Sequence, residues 1–183
     1  AVAYSLSRPP SHHAQPDRAD GYCFLNNVGL AVLEALSLGA SRVAVIDWDV
    51  HHGNGTQEGF YRRSDVLTVS IHADPKKYYP YYYGYETQRG KGKGTGYNIN
   101  IPVPVKSDDE VWMGALELAL GEIRDAAPGA LVIALGLDAH EADRLASGAV
   151  TTAGFTRMAN AISKLDLPTV IVQEGGYLTD DLE

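Results

Sequence analysis

Asp47-Trp48-Asp49-Val50-His51-His52-Gly53-Asn54-Gly55-Thr56 is the stretch around which the rest of the sequence can be interpreted. It directly follows the apolar run 43–46, which is short and rich in β-branched residues and therefore predicts a buried strand. Two carboxylates and two imidazoles then follow within six residues, Asp47 to His52. A buried carboxylate is unfavourable unless it is paired or coordinates a metal. The stretch therefore predicts half of a metal site, placed where a parallel sheet usually binds its ligands.

The spacing within this stretch indicates which side chains face the metal. In extended backbone, residues two apart point to the same side, so Asp49 and His51 can reach one cation together. Oxygen plus imidazole ligation suits Zn²⁺, Fe²⁺ or Co²⁺ better than Ca²⁺ or Mg²⁺. The alternative is an acidic surface loop, which would have no particular need of Gly53 and Gly55, two residues that permit a tight turn.

Composition limits the classes of function. The chain has 183 residues, of which 45% are hydrophobic and 21% are charged, as is usual for a globular protein with one good core. Its formal net charge of −8 argues against nucleic acid and against an anionic membrane surface as partners. No apolar run is long enough to cross a bilayer, and the single cysteine, Cys23, excludes an intramolecular disulfide. We therefore expect a cytoplasmic protein.

Periodicity predicts strands that alternate with helices. The predicted strands are 1–6, 43–46, 66–72, 98–103, 130–135 and 168–172, and the predicted helices are 25–38, 56–62, 108–127 and 152–165, with Ser107 as the N-cap of the third. This order predicts an α/β fold with a parallel sheet flanked by helices, and residues 1–183 as one domain. The tyrosine-rich segment 74–93 is too long for a simple connection and predicts a functional loop. The strand-like start without methionine predicts a core segment of a longer protein.

The other strand ends also carry polar residues. Since all strands of a parallel sheet end at the same edge, Asp138, the Ser70/His72 pair and Tyr177 are expected to lie near the metal. Asp138 is the natural third protein ligand, which leaves a position open for water and substrate. Tyr177 could donate to a developing oxyanion, although a packing role is the alternative for one of eleven tyrosines.

A tandem pair, His12 and His13, follows the first strand. Beside a metal, one imidazole can accept a proton from the activated water and return it to an amine, while the other stays charged. Each ring needs a partner for its second nitrogen, and Asp47 and Asn54 are available. Their different charges would separate the two pKa values.

Five ordered motifs, which span nearly the whole chain, resemble those of the histone deacetylase superfamily. They are Arg8-Pro9-Pro10-Ser11-His12-His13-Ala14, Gly21-Tyr22-Cys23-Phe24-Leu25-Asn26-Asn27, Asp47 to Gln57, Leu135-Gly136-Leu137-Asp138 and Glu174-Gly175-Gly176-Tyr177. The resemblance is strongest to the class II-like bacterial members and the acetylpolyamine amidohydrolases. It implies an arginase/deacetylase fold, with the active site at the C-terminal strand ends, and zinc-dependent hydrolysis of an acyl-amide.

The resemblance also implies roles for individual residues. The zinc ligands would be Asp49, His51 and Asp138. His13 would be the general base and acid, with His12 as its electrostatic neighbour; Asp47 would support His12, and Asn54 would support His13. Tyr177 would polarise the carbonyl of the substrate. A structural K⁺ would bind to Asp47, the backbone of Asp49 and His51, and Ser70 and Ile71.

The substrate positions follow in the same way. Gly21, Tyr22, Tyr79 and Leu145 match positions that line the family's narrow tunnel, with Tyr22 and Tyr79 as its two aromatic walls. Leu145 stands where one polyamine-selective branch has glutamate, which puts polyamine specificity in question. Segment 81–89 resembles an insertion that helps bacterial polyamine enzymes to dimerise, so a homodimer is expected.

Three functions remain open from the sequence. The leading one is a zinc deacetylase acting on an acetylated polyamine or on acetyl-lysine. The second is a non-catalytic relative that binds acylated ligands, against which the intact catalytic positions argue. The third is a two-metal ureohydrolase, which would need further acidic ligands near His12 and His13 that the sequence does not offer.

Overall fold

A computed structural model describes residues 1–145 and 147–177, and it contains a six-stranded sheet in the order β1-β6-β5-β2-β3-β4. The strands are β1 (Val2–Ser5), β2 (Val43–Asp47), β3 (Val66–Ala73), β4 (Asn98–Val103), β5 (Ala130–Leu135) and β6 (Thr169–Gln173). All neighbouring strands pair in parallel. The prediction of a parallel sheet is therefore confirmed, and β1 and β4 form its two edges.

Helices cover both faces of this sheet. They are α1 (Asn27–Ser37), α2 (Asn54–Phe60), α3 (Asp109–Ala126) and α4 (Thr152–Ser163). On one face, Val28 and Val32 of α1 pack among the apolar side chains of β2 and β5. On the other face, α3 and α4 bury Leu116 and Ile162 against the larger core cluster. Because both faces are covered, β2 and β3 are buried at every position, as a parallel sheet between two layers of helices requires.

Helix ends differ from the predicted ones where a local cap decides. Asn26 accepts a hydrogen bond from the Gly29 N–H at 2.7 Å, so α1 begins at Asn27 and not at Leu25. The prediction of Ser107 as the α3 cap is wrong. Its hydroxyl donates to the Pro104 carbonyl at 2.6 Å, and Asp108 accepts from the Val111 N–H instead.

The connection between β3 and β4 has little regular structure, as the sequence predicts. Residues 74–97 contain only a 3₁₀ turn, Gly92–Gly94. This connection folds back over the carboxyl ends of β2 and β3, where Tyr78 stacks on His51 with 5.0 Å between ring centroids. None of the helices in the described part of the chain has the length and apolarity that a membrane crossing requires.

Candidate metal and catalytic site

Three potential metal ligands meet at the carboxyl edge of the sheet. Asp49 and His51 follow β2, and Asp138 follows β5, the strand beside β2. One ligand atom from each lies within 4.8 Å of the other two, and within the described ranges, 1–145 and 147–177, no other such group occurs. His51 Nδ1 lies 2.9 Å from Asp49 Oδ1 and 3.0 Å from Asp138 Oδ2. We refer to these three residues as the ligand trio.

The chemistry of the ligand trio fits a cation. Burial and the charge of Asp49 raise the pKa of Asp138 to about 7, which shows the cost of holding two carboxylates together. Burial lowers the pKa of His51, but hydrogen bonds with Asp138 and Asp49 outweigh it and raise the value to about 11. The pocket therefore stabilises positive charge. Ligands about 2.0 Å from a tetrahedral zinc lie roughly 3.3 Å apart, close to the observed separations.

The tandem histidines lie directly behind the ligand trio. Their ring centroids are 4.1 Å apart, and His12 Nε2 lies 3.7 Å from Asp49 Oδ2. The His12 Nδ1–Asp47 Oδ2 distance is 2.8 Å, and the His13 Nδ1–Asn54 Oδ1 distance is 2.6 Å. The structure thus brings together both contacts that the sequence suggested for the pair.

Because His12 contacts a carboxylate and His13 contacts an amide, the two rings have different pKa values. Burial lowers the pKa of His12, but the charges of Asp47 and Asp49 outweigh it and raise the value to about 10. Burial and the neighbouring charge of His12 lower the pKa of His13 to about 3. Near neutral pH, His12 is therefore protonated and His13 is neutral.

Glu174 has a position that the sequence analysis missed. Its carboxylate accepts hydrogen bonds from the backbone N–H groups of Ser11 and His12 and from the Ser11 hydroxyl. Burial raises the pKa of Glu174 to about 7. Glu174 therefore fixes the backbone that carries the tandem histidines. In the sequence, Glu174 could have been singled out because two adjacent glycines follow it in its motif.

Tyr177 reaches the same edge from the end of β6. It is partly buried, and burial together with the charge of Asp138 raises its pKa. Asp143 accepts hydrogen bonds from the backbone N–H groups of Tyr177 at 2.9 Å and Leu145 at 2.8 Å. Asp143 is buried, and the sequence analysis missed it as well. It joins the loop of Tyr177, which is predicted to be catalytic, to the loop of Leu145, which is predicted to bind substrate.

Of the two predicted aromatic walls, the structure places one against the site. Tyr79 lies edge-on to His13, with 5.1 Å between centroids, and its hydroxyl donates to Asp20. Tyr22 is 77% exposed and has a positive φ of 65°. Tyr22 and Tyr177 line the same cavity of about 700 Å³, which Leu137 and Gly175 also line.

Glycine backbones pack closely around the carboxylates. The Gly175 N–H donates to Asp49 Oδ2 at 2.7 Å, and a Cβ at Gly175 would overlap the carboxylates of Asp49 and Asp138. A Cβ at Gly136 would overlap Asp49. At Gly21, with a φ of 49°, a side chain would overlap the His13 ring. This predicted substrate position thus contacts the tandem pair.

The predicted K⁺ residues lie on adjacent strands. Asp47 and Ser70 are directly paired between β2 and β3, and Ile71 is fully buried. Asp47 Oδ1 also accepts the Asp49 N–H at 3.1 Å. Next to them, His52 and His72 form a second buried pair, with ring centroids 4.6 Å apart.

The fold and the site define an α/β protein with an imidazole–carboxylate ligand trio that could hold a metal and a buried histidine pair, both at the carboxyl edge of a parallel sheet. The chain belongs to the histone deacetylase family: the histone deacetylase domain matches residues 1–183. The resemblance drawn from the motifs is confirmed.

Known relatives are similar along nearly all of this chain. The acetylpolyamine amidohydrolase of Burkholderia pseudomallei is 51% identical over 182 residues, which is 100% of this chain and 53% of that protein. Acetylpolyamine amidohydrolase 1 of Pseudomonas aeruginosa is 47% identical over 97% of this chain and 51% of its own length. A crystal structure of acetylpolyamine aminohydrolase from Burkholderia pseudomallei superposes with a TM-score of 0.93 at 51% identity, covering 96% of this chain and 51% of that one. The chain thus spans about half the length of the curated relatives it matches.

Proposed function

We propose that this chain carries the catalytic centre of a zinc-dependent deacetylase that hydrolyses linear acyl-amides. The observation that carries the proposal is the position of a charge-separated histidine pair 3.7 Å from a buried ligand trio that favours a cation. A binding module would need neither a base nor a metal in this arrangement. Zn²⁺ held by Asp49, His51 and Asp138 would polarise the amide carbonyl and lower the pKa of water.

The residues of the chain supply the proton transfers. His13, neutral and hydrogen bonded through Nδ1, takes a proton from the attacking water on Nε2. His12 stays protonated against Asp47 and stabilises the negative charge that develops. Tyr177 donates its phenolic hydrogen bond to the carbonyl oxygen as that oxygen gains charge. His13 then returns the proton to the amine nitrogen, the C–N bond breaks, and the products are a carboxylate and an amine.

The substrate class that we propose is an acetylated polyamine. The two relatives quoted above are named acetylpolyamine amidohydrolases, and the aromatic Tyr79 beside His13 suits a narrow passage for a slender chain. Tyr22 and Leu145, both exposed, would contact the substrate further out. Acetyl-lysine in a protein is the alternative substrate.

Further proposals extend from the same family membership. A structural K⁺ would bind where Asp47 and Ser70 pair across β2 and β3, together with the backbone of Asp49, His51 and Ile71. A cytoplasmic location and a homodimer formed through segment 81–89 also remain proposals. Tyr81 and Tyr82 in that segment are exposed, as a contact with a second copy would require.

The function is tested with the protein expressed at full length. We expect about one zinc ion per site by elemental analysis and turnover of N-acetylputrescine or N-acetylspermidine in preference to acetyl-lysine peptides. His13→Ala and Tyr177→Phe should each lower kcat by about 10²–10⁴-fold without loss of zinc. A zinc-loaded protein that hydrolyses no acyl-amide would refute the enzyme proposal and favour a ligand-binding relative. Efficient turnover of acetyl-lysine peptides alone would refute only the polyamine assignment.

A further inference from the structure

Asp20 lies at the centre of a hydrogen-bond cluster that joins the catalytic pair to the substrate passage. Its carboxylate accepts hydrogen bonds from four donors: the Tyr79 hydroxyl, the Gly21 N–H at 3.0 Å, the Asn54 side-chain N–H at 3.0 Å and the Gln15 side-chain N–H at 3.4 Å. The Asp20 side chain is 26% exposed. An ionised carboxylate is the one type of side chain that only accepts hydrogen bonds, so it satisfies all four donors at once.

The orientation of the Asn54 amide follows from this contact. An asparagine side chain has an oxygen that accepts and a nitrogen that donates. Since Asp20 can only accept, the Asn54 nitrogen must face Asp20, and the Asn54 oxygen then faces His13 Nδ1 at 2.6 Å. His13 must therefore carry its proton on Nδ1, which leaves the lone pair on Nε2.

We propose that Asp20 is a positioning residue, which fixes the Asn54 amide and thereby holds His13 in the Nδ1–H form that can act as a base. The inference rests on the proposed function for its catalytic consequence. Through the Tyr79 hydroxyl, the same carboxylate also fixes the aromatic ring that lies 5.1 Å from His13. One side chain thus sets both the tautomer of the base and the nearest wall of the passage.

Asp20→Asn separates this role from simple packing. The new amide keeps its oxygen toward Tyr79 and Gly21, because the Gly21 N–H cannot rotate, and it points its nitrogen at the Asn54 nitrogen. Two donors then face each other, and Asn54 rotates to relieve the conflict. His13 Nδ1 would meet an N–H donor, so the proton moves to Nε2 and the base is lost.

The direct measurement is nitrogen NMR of the histidine rings in the zinc-loaded protein. The wild-type His13 should show the Nδ1–H tautomer, and Asp20→Asn should show Nε2–H. Activity should fall about 10–100-fold in kcat, the usual effect of losing a group that orients a catalytic residue, with little change in KM. Asp17→Asn, the same substitution at an exposed position three residues away, should retain the wild-type spectrum and rate.

Exchanging the side chains at positions 20 and 54 should restore the hydrogen bond to His13 Nδ1. In the double variant Asp20→Asn with Asn54→Asp, the amide at position 20 donates to the carboxylate at position 54, which accepts from His13 Nδ1 again. The Nδ1–H tautomer should return and part of the lost kcat should be recovered. Tyr79→Phe should keep the wild-type tautomer, because the Asp20–Asn54 contact does not depend on the phenol.

Two results would overturn the assignment. One is a wild-type tautomer and rate in a folded Asp20→Asn protein; the other is an Nε2–H tautomer that persists in the swapped double variant. The ring spectra do not depend on turnover. A wild-type protein that shows Nδ1–H at His13 but hydrolyses no acyl-amide would therefore refute the proposed function and leave the role of Asp20 intact.

Discussion

Two pairs of buried histidines lie in this molecule, and only one of them is hydrogen bonded to a carboxylate. The pair His12/His13 and the pair His52/His72 have similar ring separations of 4.1 and 4.6 Å, and all four side chains are at most 4% exposed. Burial lowers the pKa of His72 to about 4, and burial with the neighbouring His72 lowers that of His52. Only His12 has a raised pKa among the four.

The difference lies in what the second nitrogen of each ring contacts. His12 is hydrogen bonded to a carboxylate, Asp47, at 2.8 Å. His52 contacts the amide of Asn100 at 3.1 Å, and His72 contacts the Ser70 hydroxyl and the Gly84 carbonyl, each at 2.9 Å. Burial alone thus gives neutral, structural imidazoles. One adjacent carboxylate gives the two rings of a pair different charges, which is the arrangement that the proposed acid and base roles require.

The largest expected effect comes from removing that carboxylate. Asp47→Asn should make the first pair resemble the second, because His12 would lose the charge that keeps it protonated. We expect kcat to fall about 10²–10⁴-fold while the protein remains folded. Steady-state kinetics measure kcat, and thermal unfolding shows whether the variant is folded. A variant with wild-type kcat would show that the charge separation has no catalytic role.

The loss of stability on metal removal should depend on the ligand trio beside the His12/His13 pair and not on the His52/His72 pair. Because a metal that binds only the folded chain stabilises it by mass action, a chelator should lower the free energy of unfolding by about 4 kcal/mol when free metal had stood near 1,000 times its Kd. Asp138→Ala should abolish this response to chelator. His72→Gln, outside the trio, should retain it. Calorimetric melting with and without EDTA distinguishes these cases.

The second pair should contribute to the loss of stability in acid. The pKa of His72 is lowered from 6.5 to about 4, so between these values the unfolded chain binds a proton that the folded chain excludes. Its contribution is therefore complete above pH 6.5 and falls by up to about 3 kcal/mol as the pH decreases to 4. Denaturant unfolding across this range should show a shallower pH dependence in His72→Gln. His140→Gln, on a more exposed loop, serves as the control and should follow the wild type.

The smallest effect is expected from giving the second pair a carboxylate. Asn100→Asp should raise the pKa of His52, because the new charge would lie at the hydrogen-bond distance now held by the amide. The variant would lose the N–H groups that donate to Gln57 and Tyr85, which should cost about 1–3 kcal/mol of stability. Ring proton titration by NMR measures the pKa. An unchanged value would show that a carboxylate is not sufficient to charge a buried imidazole here.

The sequence predicted those parts of the site that depend on strand ends. Asp49, His51 and Asp138 meet as expected because parallel strands end at one edge, so the order of motifs is enough to place them. The residues alone offered Asp47 and Asn54 as partners of the tandem histidines, and the resemblance to the family implied which partner belongs to which ring.

Residues whose contacts depend on the path of a loop could not be found in this way. Glu174 lies 163 positions from Ser11, and Asp20 lies 59 positions from Tyr79, so no local period relates them. Helix starts were imprecise for a related reason. Whether Ser107 or Asp108 caps α3 depends on the Pro104 carbonyl that the Ser107 hydroxyl meets, which is a feature of the turn and not of the helix.

The glycine backbones packed against the carboxylates have a consequence for how tolerance to substitution would be distributed along the chain. In a saturation mutagenesis experiment selected for activity, positions 136 and 175 should be as intolerant as the ligand trio, although neither has a side chain that could bind metal. Any Cβ at Gly175 would displace the oxygens of Asp49 and Asp138, and even alanine would act there as a ligand substitution does. Functional constraint at this edge of the sheet therefore extends to glycines whose role is to leave room for the neighbouring carboxylates.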